Sequence, residues 1–150
     1  MLHILHHYIG TKILNRIEPE ISHAIALCYL RLLNQFVKKR KIGNPMLKTK
    51  ICGMEVPSPI GLAAGFDKNA EVFNATLSLG FGFVEVGTIT PDPQFGNPKP
   101  RLFRLPEEKA LITSMGFTNN GMLHVSNIAE KPKLGILGVN IGANAKSINK

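Results

Sequence analysis

A chain of 150 residues suits one domain with a moderate core, and 44% hydrophobic against 19% charged content argues against intrinsic disorder. The formal charge of +8 is unevenly placed: residues 1–50 hold nine Lys or Arg against Glu18 and Glu20, a net of +7, while residues 51–150 hold nine against eight. No glycine–aromatic RNA motif, zinc ligand set or basic heptad accompanies the basic third. The expected partner is therefore an anionic membrane surface, with no nucleic acid and no metal.

Taken in chain order, Ile4, Leu5, Tyr8, Ile9, Ile13, Leu14 and Ile17 recur at three- and four-residue steps, which predicts a first apolar-striped helix. His3, His6, His7 and Lys12 interrupt any secretory signal. Pro19 suits the first turn of a second helix and Glu20 its positive end. Ile21, Ala24, Ile25, Leu27, Cys28, Leu32, Leu33, Phe36 and Val37 give that helix a broad apolar face. The run is too short for a bilayer, contains Arg31, and ends in Lys38, Lys39, Arg40 and Lys41. Composition leaves two outcomes open: the helices cap a larger core, or they lie in a headgroup layer. Cys28 and Cys52 read as reduced, buried apolar residues. The match of Asn74-Ala75-Thr76 to a glycosylation sequon reads as chance.

After a break at Gly43-Asn44-Pro45, residues 48–56 around Cys52-Gly53 predict a short hairpin. Ile60 to Ala64 predicts one buried strand, ending in Ala63, Ala64 and Gly65. Three small residues at a strand's C-terminal end leave room for a flat, rigid ligand against the backbone, and Lys68 stands beside that space. The same residues allow a blander reading, a tight turn with Asp67 as helix cap and Lys68 in solvent. A helix is expected from about Asn69 to Leu79, with Phe73, Leu77 and Leu79 toward the sheet. Phe83 to Val86 is the second strand, and Gly87-Thr88 repeats the small strand-end. Glu85 inside it needs a partner, for which a basic residue is the natural guess. Pro91 to Pro100 is too proline-rich for anything but a loop, and Leu102 to Leu105 forms a brief strand. A weak helix near Met122 to Glu130 and a strand at Ile136 to Ile141 complete a third βα unit. Three such units predict a parallel sheet in an α/β fold. Gly135, Gly138 and Gly142 lack dinucleotide-fingerprint spacing, which disfavours a nicotinamide site.

The stretches GLAAGFDKN (61–69), GFGFVEVGTIT (80–90), GNPKPRLFRLPE (96–107), SMGF (114–117) and LGVNIGAN (137–144) occur in that order. Together they resemble the membrane-associated, quinone-dependent class (class 2) of dihydroorotate dehydrogenase, from about Pro19 to the end of the chain. The resemblance implies an incomplete TIM (β/α)8 barrel of three βα units, since a whole one needs about 250 residues. Residues 1–42 would form a helical quinone-tunnel and membrane segment, and residues 43–150 the N-terminal portion of the barrel, truncated at its C-terminus. It implies FMN as cofactor, dihydroorotate and orotate as ligands, and a membrane quinone as acceptor, on the cytoplasmic face of the cell membrane. By resemblance, Ala63, Ala64, Gly65, Lys68, Thr88 and Asn140 meet the flavin. Lys68, Thr113, Met115, Gly116 and Phe117 meet the pyrimidine, while Arg104 and His23 line the quinone tunnel. Arg101 is expected in a salt bridge or at the surface.

The chain departs from the family pattern where Thr113 and Thr118 replace two asparagines, and a lost buried bond costs about 1–3 kcal/mol. The family's serine base is expected beyond residue 150; Ser114 and Ser126 are not at its place. Two other readings stand beside the enzyme: a non-catalytic remnant, and a basic membrane-surface module. An open parallel sheet further predicts that the isolated chain is loosely folded or aggregates.

Overall fold

The computed structural model describes residues 12–36, 45–130 and 133–147. The first predicted helix is described only from Lys12, and its last turn closes through Arg16 N–H to Ile13 O (3.0 Å) and Ile17 N–H to Leu14 O (3.3 Å). The basic run at residues 38–41 lies outside the described residues.

Helix α1 (Pro19–Asn34) starts where the sequence places it: Pro19 occupies the first turn, and the Glu18 carboxylate accepts from Ile21 N–H at 2.8 Å. Strands β1 (Thr49–Ile51) and β2 (Met54–Val56) form the expected antiparallel hairpin around Cys52-Gly53. Helix α2 (Phe73–Ser78) is shorter than the expected span. The reason is Asp67, whose buried carboxylate accepts from Glu71 N–H (2.8 Å) and Val72 N–H (2.9 Å). That side chain holds residues 67–72 as a loop, and helix begins only after it.

Strand β3 (Phe83–Ile89) runs three residues beyond the predicted Val86 and pairs in parallel with β6 (Ile136–Ile141), whose bounds match the expectation. On β3's other side the predicted 60–64 strand shrinks to one bridge, Leu62 with Val84. Its hydrogen bonds nevertheless continue: Leu62 N–H to Phe83 O (3.1 Å), Glu85 N–H to Leu62 O (2.8 Å), Gly65 N–H to Gly87 O (2.8 Å) and Gly87 N–H to Asp67 O (3.0 Å). Strand β4 (Leu102–Leu105) pairs antiparallel with β5 (Ala110–Thr113), a strand the proline-dominated neighbourhood concealed. Helix α3 (Met122–Ala129) follows.

Alternation along β3 sorts the side chains. Val84 and Val86, with no exposure, pack with Ala70, Phe73, Leu77, Ile89 and Val125 between sheet and helices. Burying such a valine contributes about 1.5–3 kcal/mol. Leu79 was expected in this core but lies exposed just past α2. Helix α1 packs outside α2 through Leu30, Leu27 and Leu33 on Val72, Ala75 and Phe66, and Arg31 pairs with Glu71. Its broad apolar face therefore divides: one stripe is packed, and Ile21, Ile25, Tyr29, Leu32 and Phe36 remain in solvent. Cys28 and Cys52 are free but exposed, contrary to expectation, because Cys28 falls outside the packed stripe and Cys52 at the hairpin turn. Among the described residues the parallel sheet is open, and no helix is long and apolar enough to cross a membrane.

Candidate functional site

A cleft of about 630 Å³ opens at the C-terminal ends of the parallel strands, where an open α/β sheet holds its ligands. One wall is backbone. Gly65 sits at φ +108° with nothing within 4 Å of where a Cβ would be, so the chain passes as a bare ledge that only glycine accommodates. Beside it Gly87, at φ +110°, comes so close to β6 that a Cβ would lie 2.5 Å from Asn140 O. Ala64, Thr88 and Lys68 line the same wall. Lys68 is half-buried rather than solvated, and Asp67 braces the loop at Glu71 and Val72 without capping α2, whose N-cap Val72 has no side-chain cap bond. Burial pulls the Lys68 ammonium below the usual lysine range and Arg101 pushes the same way, while Glu20 opposes them. A carboxylate arriving in the cleft would find a desolvated cation.

The facing wall is side chain. Glu20, on the first turn of α1, receives Arg101 through Nη2 at 2.6 Å and Nε at 3.3 Å, with Lys99 at 3.3 Å. Arg101 is 7% exposed and also donates to the carbonyls of Phe95 (2.6 Å) and Asn97 (2.9 Å). It forms the expected salt bridge but is no surface residue. That arginine holds the Glu20 carboxyl below the usual carboxylate range, against burial and with Lys99 adding to it. His23 Nε2 lies 2.7 Å from Phe66 O, and since a carbonyl only accepts, this nitrogen carries the proton. Its ring meets Phe66 edge-to-face at 5.2 Å. Burial, with the nearby Lys68 charge, lowers the affinity of His23 for a second proton. Arg104 closes this end, donating to the carbonyls of Leu14 (3.1 Å), Asn15 (3.3 Å) and Ile17.

Thr113, Met115, Gly116 and Phe117 form the third side. The cleft thus gathers Ala64, Gly65, Lys68, Thr88, His23, Arg104 and these four residues. Ala63 and Asn140 do not line it. By strand alternation they lie on the sheet face turned away from Val84 and Val86, where Asn140 Nδ2 donates to Glu85 Oε1 at 3.2 Å. Among the described residues the partner of Glu85 is this amide, where a basic residue further round the barrel was expected. Thr118 also faces elsewhere: its hydroxyl lies 3.3 Å from Phe95 O and 3.2 Å from Met115 O. Three lining residues with polar side chains were not among the expected site residues. Glu20 looked like a helix-end charge, Asn97 sat in a proline-rich loop, and Ser114 was set aside as not at the place of the serine base. Asn97 Nδ2 donates to Ser114 O at 2.7 Å, and Ser114 Oγ lies 3.5 Å from Arg101 O.

The bare ledge, the half-buried ammonium and the cleft meet at the strand ends of an α/β scaffold. The family model for dihydroorotate dehydrogenase matches residues 46–150, and the chain belongs to that family. It is 46% identical to the dihydroorotate dehydrogenase (quinone) of Mesorhizobium japonicum, over 95% of this chain and 40% of that protein. Against the protein of the same name from a Marinomonas species it is 49% identical, over 91% of this chain and 40% of that protein. A crystal structure of DHODH from Eimeria tenella in complex with ferulenol superposes with TM-score 0.73 at 40% identity, covering 84% of this chain and 36% of that one. These relatives place the chain in the α/β barrel class. It spans about 40% of the length of the curated relatives it matches.

Proposed function

We propose that the protein serves the oxidation of dihydroorotate to orotate, in pyrimidine biosynthesis, with electrons leaving to a membrane quinone. The observation that carries this reading is Lys68: a half-buried ammonium beside the bare Gly65 ledge in a cleft roomy enough for a flat ring. FMN fits that ledge, since the open space over Gly65 takes a ring where a side chain would otherwise project; Ala64, Gly65, Lys68 and Thr88 would hold it. When bound, FMN supplies the hydride acceptor. Lys68 binds the orotate carboxylate, and its charge favours negative charge developing nearby. The backbone of Met115, Gly116 and Phe117 bounds the pyrimidine, and Arg104 with His23 borders the side from which a quinone would approach.

The exposed stripe of α1, together with the net charge of +7 in residues 1–50, supports a peripheral site on the cytoplasmic face of the cell membrane. One observation favours a second reading, a ligand-binding protein without turnover. Thr118 spends its hydroxyl on loop carbonyls, and Thr113 offers a hydroxyl where relatives of the resembled class carry an amide.

The test begins with absorbance of the FMN-reconstituted protein in the roughly 400–500 nm flavin band. Reduction of a quinone-analogue dye by dihydroorotate then separates the two readings: dye reduction supports the enzyme, and orotate binding without it supports the second. Failure to take up FMN rules out both. Lys68→Met should abolish orotate binding while the fold persists. Orotate affinity should also fall with rising pH below the ordinary lysine value of 10.5, because the ammonium that binds it is lost early.

A further inference from the structure

We infer that Asn119 is the positioning residue that sets the Met115–Phe117 backbone into the cleft; the inference rests on the functional reading above for what that backbone then binds. Asn119 is 4% exposed and does not line the cleft. Every polar atom of its side chain is engaged. Oδ1 accepts from Gly121 N–H (2.8 Å) and Thr90 N–H (3.2 Å), and Nδ2 donates to Phe117 O (2.7 Å) and Thr90 Oγ1 (2.9 Å). The Thr90 hydroxyl in turn donates to Asp92 O at 2.6 Å. Thr90 follows β3, the strand that carries Gly87 and Thr88. One amide therefore bolts the pyrimidine-side loop to the flavin-side strand.

The loop needs such a bolt. Phe117 holds φ +53°, a left-handed conformation unfavourable for a bulky side chain, and its neighbour Gly116 holds φ +74°. Conformations of this kind persist only where surrounding contacts over-determine them. Asn119 Nδ2 grips the carbonyl of that same residue. The main chain of Asn119 adds an antiparallel pair with Gln94, at 3.0 and 3.1 Å, and Gln94 Nε2 reaches Gly116 O at 2.9 Å. Asparagine is required because the task is asymmetric: two backbone donors and one backbone carbonyl must be met from one planar group.

Asn119→Asp tests this, since it keeps the acceptor for Gly121 and Thr90 but turns an oxygen toward Phe117 O. In the FMN-reconstituted chain, its amides at Gly121 and Thr90 should stay protected from hydrogen exchange and the flavin absorbance should be unchanged. Orotate should bind at least about tenfold more weakly, the scale of one lost buried hydrogen bond. Asn119→Ala should in addition deprotect Gly121 and Thr90 while the Leu62 and Glu85 amides of the sheet stay protected. Unchanged orotate affinity in folded Asn119→Asp would overturn the inference, as would loss of sheet protection and flavin along with orotate in both variants. If the unsubstituted protein takes up FMN but no orotate, the functional reading falls. Local deprotection confined to the loop in Asn119→Ala then still decides whether Asn119 holds it.

Discussion

The two walls of the cleft are built in opposite ways. The sheet-side wall is chain against chain: Gly65, Gly87 and Asp67 exchange main-chain hydrogen bonds above a core of Val84, Val86 and Phe73. The helix-side wall is assembled from side chains that reach across the sequence, Arg101 to Glu20, Arg104 to the carbonyls of residues 14–17, and His23 to Phe66. A wall of main-chain bonds tolerates most side-chain changes and fails only where a Cβ cannot fit. A wall of charged side chains fails when one partner is removed or titrated.

The largest expected effect is on the helix side. Arg101→Ala leaves Glu20 and two carbonyls without their buried donor and should cost about 3 kcal/mol, the low end for a broken buried pair because Glu20 keeps some water. A urea midpoint no lower than that of a surface variant would erase the contrast between the walls. Next comes Gly87→Ala on the sheet side, which sets a methyl 2.5 Å from Asn140 O at a positive φ and should cost about 2 kcal/mol. Since Gly87 N–H and Gly65 N–H share that register, flavin uptake should fall with stability.

Acid should separate the walls by sign. The Glu20 carboxyl is lowered in the folded protein, so its contribution is present above the ordinary value of 4.5 and is lost as pH falls below it through the lowered value. Asp67 is shifted upward, chiefly by burial, so the fold binds that proton more readily and gains stability as pH falls through the raised value toward 3.8. Hydrogen exchange between pH 5 and 3 should therefore show α1 loosening before the 62–87 ladder (about the span over which carboxylates titrate); simultaneous loosening would contradict it. The smallest effect belongs to the exposed stripe: Ile25→Ser should shift stability by no more than about 0.5 kcal/mol yet weaken binding to anionic vesicles. Unchanged vesicle binding would remove the stripe from the membrane reading.

Local chemistry was legible wherever it was decided by neighbours in sequence. Pro19 opening α1, the hairpin around Cys52-Gly53, and β6 at Ile136–Ile141 follow from φ restriction, turn residues and an apolar run. So does the bare backbone at Gly65, since a positive φ and open space there need a residue without a side chain. Expectations failed where side-chain bonding, packing and strand pairing decided. The Asp67 carboxylate takes the Glu71 and Val72 amides and delays the start of α2, Leu79 and Cys28 lie exposed, and β5 pairs with β4.

By itself, then, the sequence determined the alternation of strand and helix, the small-residue strand ends and the presence of a cation beside them, since these depend on residue volume and backbone freedom alone. Only the tertiary structure decided that Glu20 and Arg101 meet across 81 residues of chain, that Asn140 turns to Glu85, and that Asn119 bolts two loops together. Those pairings depend on which surfaces the core brings within 3 Å or so of each other, a distance set by packing and not by spacing along the chain.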